Sequence, residues 1–545
     1  MRDYALPMRR LVSQDNEALV PRPDVPRSRF INQWSIKTTF NQGIVVPAFV
    51  MEVLPGDQLK FDLTAFVRMA TPLFPVMDSL RLDSHWFYVP NRIVFDDWER
   101  FMGQQDTPSQ TIDIPLPLMT ITQAQWDANP IHDYLGIPRP QNLPGGPLTV
   151  VSLPHRAYSR IIFDWFRDQN LQTLGIPFSG PGPDSPTVPL FRRGKSHDYF
   201  TSALPWPQKF TAPNIPLQGR APVYGISALS AGGTSPGPVN VLDPTGTSFQ
   251  SQFGTHYTGT NIVMNASWQG GTTNPSNPRI WADLAQAAAS VSVNQLRQAV
   301  MIQSLLERDA RGGTRYNEWV QSHFGVTVPD YRLSRPEYIG GGSSPVEVTP
   351  VAQTTQGAGG FELGRLAGVG ISMGNHRASG AFVEHGYVLC LLSIKSELTY
   401  SEGLHRMWSR RTRYDFYVPS LAQLGEQAIL GRELVTTGDP AFDDATWGFQ
   451  ERWQEYRTHW GTATGKMRPN VTATTAGWHY GQNFAGNPTA LNTFFIEDRA
   501  PMERVLAAGS TPASNRTEFI ADLHFRGDFV RCIPAYNIPA TLGRF

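Results

Sequence analysis

Ordered hydrophobic patterning begins at Trp34, where Trp34, Ile36, Thr38 and Phe40 alternate with polar residues before Asn41-Gln42-Gly43 turns the chain. A period of two puts one side of a strand in a core and the other in water. An apolar, β-branched run from Ile44 to Leu54 follows, then the turn Pro55-Gly56-Asp57, then alternation again at Leu59, Phe61 and Leu63. Pro72 and Pro75 break the chain, and Leu80, Leu82, Trp86 and Tyr88 share one face of a further strand. The pattern predicts four or five strands within the first 90 residues. Strand texture returns at Tyr387 to Ile394, at Arg413 to Val418 and at Glu518 to Arg531, where Phe519, Ala521, Leu523 and Phe525 alternate with polar neighbours.

The middle of the chain reads differently. Leu153 to Leu171 has no Gly or Pro after Pro154, and Tyr158, Ile161, Ile162, Trp165 and Phe166 recur at helical spacing. Ser292-Val293-Asn294-Gln295 fits a capping box opening a second helix to Arg311. Leu296, Ala299, Val300, Ile302, Leu305 and Leu306 form its apolar side, and Gly312-Gly313 stops it. Between the helices, Ala212 to Arg279 is dominated by Gly, Ser, Thr, Asn and Pro and reads as a structureless insertion of the functional or mobile kind. Strand-rich text at both ends implies that the ends pair into one core and the centre makes long excursions from it. The fold class expected is mainly β: an eight-stranded jelly roll with long loop and helical insertions. Two β domains flanking a helical one remain an alternative on spacing alone. No fixed-period repeat points to a propeller or solenoid.

Composition narrows the functions available. The 46 Lys+Arg balance 46 Asp+Glu, which disfavours a strongly electrostatic solo binder of nucleic acid. Only six of the basic residues are Lys, and arginine is the side chain favoured at bidentate and interface sites. Two cysteines, Cys390 and Cys532, are too few for a disulfide framework and suit a reducing compartment. The first ten residues hold no apolar signal core, and the best apolar run, Tyr387 to Ile394, is far short of a membrane span. Neither secretion by signal peptide nor membrane insertion is expected.

No constellation supports an enzyme. Gly370-Ile371-Ser372-Met373-Gly374 matches a nucleophile elbow, but Leu363 to Gly368 reads as a poor strand and Asn375 to Gly380 as a loop. Gly194-Lys195-Ser196 resembles the end of a phosphate loop, yet Pro189 stands where the first glycine belongs and offers no backbone N–H. The twelve histidines form no metal motif, and no cofactor is expected. Asp439, Asp443 and Asp444 could supply oxygen ligands to a structural Ca²⁺, but without EF-hand spacing an acidic loop is the better reading. Residues 1–33 are polar and Pro-punctuated and read as an extended N-terminal arm preceding one domain over 34–545. Arg9, Arg10, Arg22, Arg27 and Arg29 of that arm are the candidates for interior or inter-subunit contacts. With Arg2, against Asp3, Asp15, Glu17 and Asp24, residues 1–30 carry a net charge of only +2, so a strap over a neighbouring subunit is as good a reading as phosphate contact.

Several long strings resemble one family, the major capsid protein of the microviruses, in particular the gokushovirus branch of small single-stranded DNA bacteriophages. They include Met51-Glu52-Val53-Leu54-Pro55-Gly56-Asp57, Phe87-Tyr88-Val89-Pro90-Asn91-Arg92, Leu153-Pro154-His155-Arg156-Ala157-Tyr158, Arg193 to Lys209, Leu305 to Tyr316, Gly448 to Arg457 and Pro534 to Pro539. They run in family order from about residue 34 to the C-terminal end. The resemblance implies a jelly-roll core, no enzymatic activity, and a T=1 icosahedral shell of about 60 copies built from pentamers. It also implies that 212–279 is a variable surface insertion forming threefold protrusions. Implied partners are circular single-stranded DNA, a small basic DNA-binding protein, a DNA pilot protein, an internal scaffolding protein and a bacterial surface receptor. Implied locations are the virion and, during assembly, the host cytoplasm. A neutral subunit independently calls for a separate basic protein or cations to neutralise a packaged genome. A carbohydrate-binding or hydrolytic β-sandwich, and a soluble attachment protein, are the rival classes.

Overall fold

The computed structural model describes residues 26–213 and 293–536, apart from 112, 141–145, 176, 314, 355–362, 485 and 510–515, together with short strand segments between 223 and 282. Compactness divides the chain into two units, Met1–Pro207 with Gly312–Phe545, and Gln208–Arg311.

The first unit is built on one antiparallel sheet of eight strands: β1 (Ser28–Phe40), β2 (Val46–Val53), β3 (Gln58–Met69), β4 (Leu80–Pro90), β5 (Glu337–Ala352), β6 (Leu366–Ala381), β7 (Gly386–Ser396) and β8 (Phe519–Arg531). Their order is β1-β8-β3-β6-β5-β4-β7-β2. The N-terminal and C-terminal strands pair along their full length, from Ser28 opposite Arg531 to Phe40 opposite Phe519. β1 and β2 stand at opposite ends of that order, yet Trp34 and Phe49 have ring centroids 5.1 Å apart. The sheet therefore curls on itself into two facing halves, β1-β8-β3-β6 and β5-β4-β7-β2, which is the jelly-roll arrangement. Alternating inward positions from both halves meet in an aromatic core. Phe61 of β3 stacks on Trp86 of β4 at 4.6 Å, and Phe49 of β2 lies 5.3 Å from Phe525 of β8. Phe61, Trp86 and Phe525 are fully buried, each worth roughly 1.5–3 kcal/mol of apolar transfer.

The apolar runs that do not alternate have a structural cause. Helix α1 (Leu153–Ile161) covers the outside of β4 and β7, so Phe87, Val89, Leu389 and Leu391 pack against Ala157, Tyr158 and Ile161 in a second core. Strands covered on both faces need apolar residues at every position. The expected helix to Leu171 is shorter: after Ile161 one π-helical turn ends at Phe166, and Arg167 is already extended. A third core, with Tyr199, Phe200, Ile429, Trp447 and Phe495, is made by the excursions alone, partly on a hairpin of Glu426–Leu430 with Thr446–Glu451.

Two expectations are corrected. Arg413 to Val418 is no strand; it holds a 3₁₀ turn at Arg413–Asp415 followed by exposed residues, because among the described residues no neighbouring strand offers it a ladder. The flanks of Ser372, read as non-strand text, are one continuous 16-residue strand, β6. Its glycines are spacers. At the seam between the halves, Ser84 of β4 and Ser344 of β5 each hold a ring nitrogen of His376 of β6 at 2.7 Å. A Cβ on Gly374 would lie 1.7 Å from the Ser344 hydroxyl, and one on Gly342 would meet the His376 ring. Burial keeps the His376 imidazole below its usual pKa, so in its neutral form one serine donates to the ring and the other accepts from it.

In the second unit, the stretch from Ala212 to Arg279 carries short antiparallel pairings rather than none, among them Gly254–Thr258 with Asn261–Asn265. β-Branched residues such as Ile262 and Val263 interrupt the polar text there. Helix α2 (Val293–Arg311) runs where its periodicity places it, but Leu296, Val300, Ile302 and Leu305 are exposed, and Ala310 is its buried residue.

Candidate assembly surfaces

Of the arm arginines, Arg9, Arg10 and Arg22 lie outside the described residues. Arg27 is exposed just before β1. Arg29 belongs to the sheet: β1 starts at Ser28, six residues before Trp34, because β8 offers a ladder partner as far as Arg531. Its guanidinium makes a two-pronged bond to Asp528, Nε to Oδ1 at 2.7 Å and Nη2 to Oδ2 at 2.6 Å. That pairing holds the Asp528 carboxyl below its ordinary pKa and raises that of Arg29. Arg29 is thus engaged within its own chain.

The solvent face of β1-β8-β3-β6 is a charged ladder. Lys37 faces Asp522 at 3.6 Å and Arg377 faces Asp62 at 2.9 Å, while Lys60, Arg68 and Arg526 project from the same face without an ion pair among the described residues. Exposed pairs of this kind contribute little to stability and leave the face mildly basic.

Buried charges instead fasten the excursions. Arg156 on α1 grips Asp184 through two 2.7 Å bonds and donates to the Val94 carbonyl at 2.9 Å. Arg193 bridges Asp83 of β4 and Ser393 of β7. Glu433, whose carboxyl burial pushes up in pKa, accepts from Arg406 and from the Tyr199 hydroxyl. Lys195, the lysine of the phosphate-loop lookalike, sits 4.1 Å above the Phe495 ring, and burial lowers its pKa to about 8. Ser372 is buried within β6, with strand continuing to Ala381 where an elbow would need a helix. Asp443 accepts from the Thr437 and Gly438 amides and the Thr437 hydroxyl, Asp439 caps the turn at Ala441, and Asp444 pairs with Arg432. These three carboxylates are turned to their own loop. None of these clusters lines up a nucleophile with a base, and all of them join the excursions to the sheet or to one another.

What the described surface does offer is exposed apolar area in one run. Met407, Trp408, Tyr414, Phe416, Tyr417, Val418 and Leu424 all stand between 42% and 70% exposed. Part of this run, Arg413 to Val418, has strand-like text. Its interleaved arginines and rings were the overlooked signal.

A buried jelly-roll core fastened to rigid excursions with apolar surface left uncovered is the build of a subunit made to be packed against something. Comparison with known proteins agrees. The profile of the phage capsid protein (F protein) family matches residues 18–541. The chain belongs to this capsid family. It is 40% identical to capsid protein VP1 of Bdellovibrio phage phiMH2K over 98% of this chain and 99% of that protein. It is 36% identical to capsid protein VP1 of Chlamydia phage 1, covering 95% and 96%, and 33% identical to capsid protein VP1 of Spiroplasma virus 4, covering 94% and 95%. The expected microvirus, gokushovirus-like capsid identity is borne out, and with it a structural role and a place in the virion. Among the described residues no helix is long and apolar enough to cross a membrane.

Proposed function

We propose that this capsid chain closes with about 60 copies of itself into a T=1 icosahedral shell, through pentamers, around a circular single-stranded DNA genome. The observation that carries the reading is the division of labour in the fold. The aromatic core and buried ion pairs make a rigid body, while the excursions from it leave apolar residues exposed, such as Met102 and Phe178 between β4 and β5 and Trp408 and Phe416 between β7 and β8. Rigid subunits sharing many weak contacts close a stable shell through multivalency. In this reading the protein has no enzymatic activity and needs no cofactor. Because its formal charge is zero, a small basic DNA-binding protein neutralises the genome, with a pilot protein and an internal scaffolding protein as further partners in the host cytoplasm. The 212–279 segment forms the threefold protrusion that meets the bacterial receptor.

Cryo-electron microscopy of the full chain expressed with its assembly partners tests this reading. Closed icosahedral particles of about 60 subunits are expected. Monomers or trimers alone under those conditions would refute it, as would shells of this protein alone retaining single-stranded DNA at physiological salt for the basic-partner part.

A further inference from the structure

We propose that the ledge formed by residues 407–418 and 452–457 is a binding site for single-stranded nucleic acid, in which exposed rings stack bases and unpaired arginines take phosphates. This site deepens the capsid reading and rests on it only for the identity of the strand as genome.

The ledge is a small lattice of rings and guanidinium groups. Tyr417 meets Trp453 edge-on at 5.6 Å and Tyr456 at 6.3 Å. Arg410 lies over both Tyr456, at 4.5 Å, and Phe416, at 5.5 Å. Arg413 lies 4.8 Å over Tyr414, whose backbone carbonyl accepts a 3.1 Å bond from Arg452. The rings are therefore held from below and open above: Tyr414, Phe416, Tyr417 and Tyr456 are each about half exposed. A ring fixed in place and half in water loses little entropy when a base stacks on it, and every base has a π-face to offer.

Charge selects the occupant. Arg410 is paired with Glu455, and Arg457 with Glu451. Arg411, Arg413 and Arg452 make no ion pair within 4 Å among the described residues; the remaining carboxylate, Asp415, accepts from the Arg411 and Thr412 amides and the Thr412 hydroxyl, with the Arg452 charge nearby. Unpaired cations set among exposed rings complement a phosphate backbone with unpaired bases. A second copy of the same ledge would bring like charges together. The solvent face of β1-β8-β3-β6 also carries unpaired cations, but there a cation lies over a ring only at Arg68 and Phe66 among the described residues. It suits phosphates without bases.

The test uses the full-length protein and fluorescein-labelled oligo-dT of about 20 nucleotides, longer than one ~4–16-nucleotide site. Binding is read by anisotropy across a salt series, and assembly state by sedimentation in parallel. Tyr414→Ala with Phe416→Ala is expected to weaken oligo-dT binding at least about tenfold, while Tyr414→Phe with Phe416→Tyr restores it. Arg411→Ala with Arg413→Ala is expected to weaken binding and reduce the magnitude of the log–log salt slope by about 1.4, corresponding to two lost single-strand phosphate contacts. Lys60→Ala with Arg526→Ala, on the sheet face, is expected to leave the ring-dependent binding intact. Unchanged oligo-dT affinity in both ledge variants overturns the proposal. So does lost assembly with unchanged affinity, which assigns the ledge to a second copy. Ledge variants that bind poorly but still close into shells leave the capsid reading standing and support the site. Ledge-dependent binding by a protein that forms no shells would retain the site and reject the capsid reading.

Discussion

Truncation of Arg156 isolates what the buried charges do. Its side chain and that of Asp184 are 4% and 9% exposed, and both side-chain bonds of Asp184 come from Arg156. Arg156→Ala therefore strands a carboxylate in a site built for an ion pair, frees the Val94 carbonyl, and removes the guanidinium lying 5.0 Å over Phe178. Breaking a buried pair from one side costs about 3–5 kcal/mol, whereas removing both charges costs much less, since desolvation offsets most of the pair's attraction. Arg156→Ala with Asp184→Ala is accordingly expected to be milder than Arg156→Ala alone, with a coupling of about 1.5 kcal/mol or more across the double-mutant cycle. At about 2.1 cal/mol/K per residue, a 545-residue chain unfolding as one unit has a melting entropy near 1.1 kcal/mol/K, so the single variant should melt about 2.5–4.5 °C lower. Differential scanning calorimetry of unassembled subunits measures this. A single variant no worse than the double would show that Asp184 finds water or another donor, and would refute the assignment of Arg156 as the clamp holding α1.

Three further outcomes are expected. The neighbouring His155, whose pKa burial lowers to about 4, stays neutral in the fold while the unfolded chain takes up a proton below about 6.5. Its contribution, about 3 kcal/mol, should be intact above pH 6.5 and drain away toward pH 4; His155→Gln should flatten that loss in melting curves taken across this range. His376→Ala leaves the Ser84 and Ser344 hydroxyls buried without their partner and should cost about 2–4 kcal/mol in subunit unfolding, partly recovered by Ser84→Ala. Gly43→Ala forces a side chain onto a backbone with φ of +75° and places its Cβ 2.1 Å from the Asp498 carbonyl oxygen, so poor soluble yield is expected. Gly465→Ala, at φ +62° in open space, should cost only about 1 kcal/mol and serves as the control.

Local physics was legible wherever one face of an element meets the core. Trp34 to Phe40, Leu59 to Leu63 and Phe519 to Phe525 alternate because their strands are solvated on one side, and the sheet pairs them as their pattern requires. The resemblance strings, spread along the chain, pointed to the capsid family that the comparisons bear out. β5 and β6 lack a legible strand pattern because glycines at 340–342, 370 and 374 and prolines at 345 and 350 interrupt the alternation. Only the folded seam, with His376 beside Gly342 and Gly374 and Met69 beside Gly370, makes them strand residues. Arg29 read as arm because the Pro-rich text before it carries no periodicity; the length of β8 drew it into the sheet. Periodicity along a chain records which side of an element is dry. Which elements meet, which charges they bury together and which rings stay in water depend on contacts between residues hundreds of positions apart, and those the tertiary structure decided.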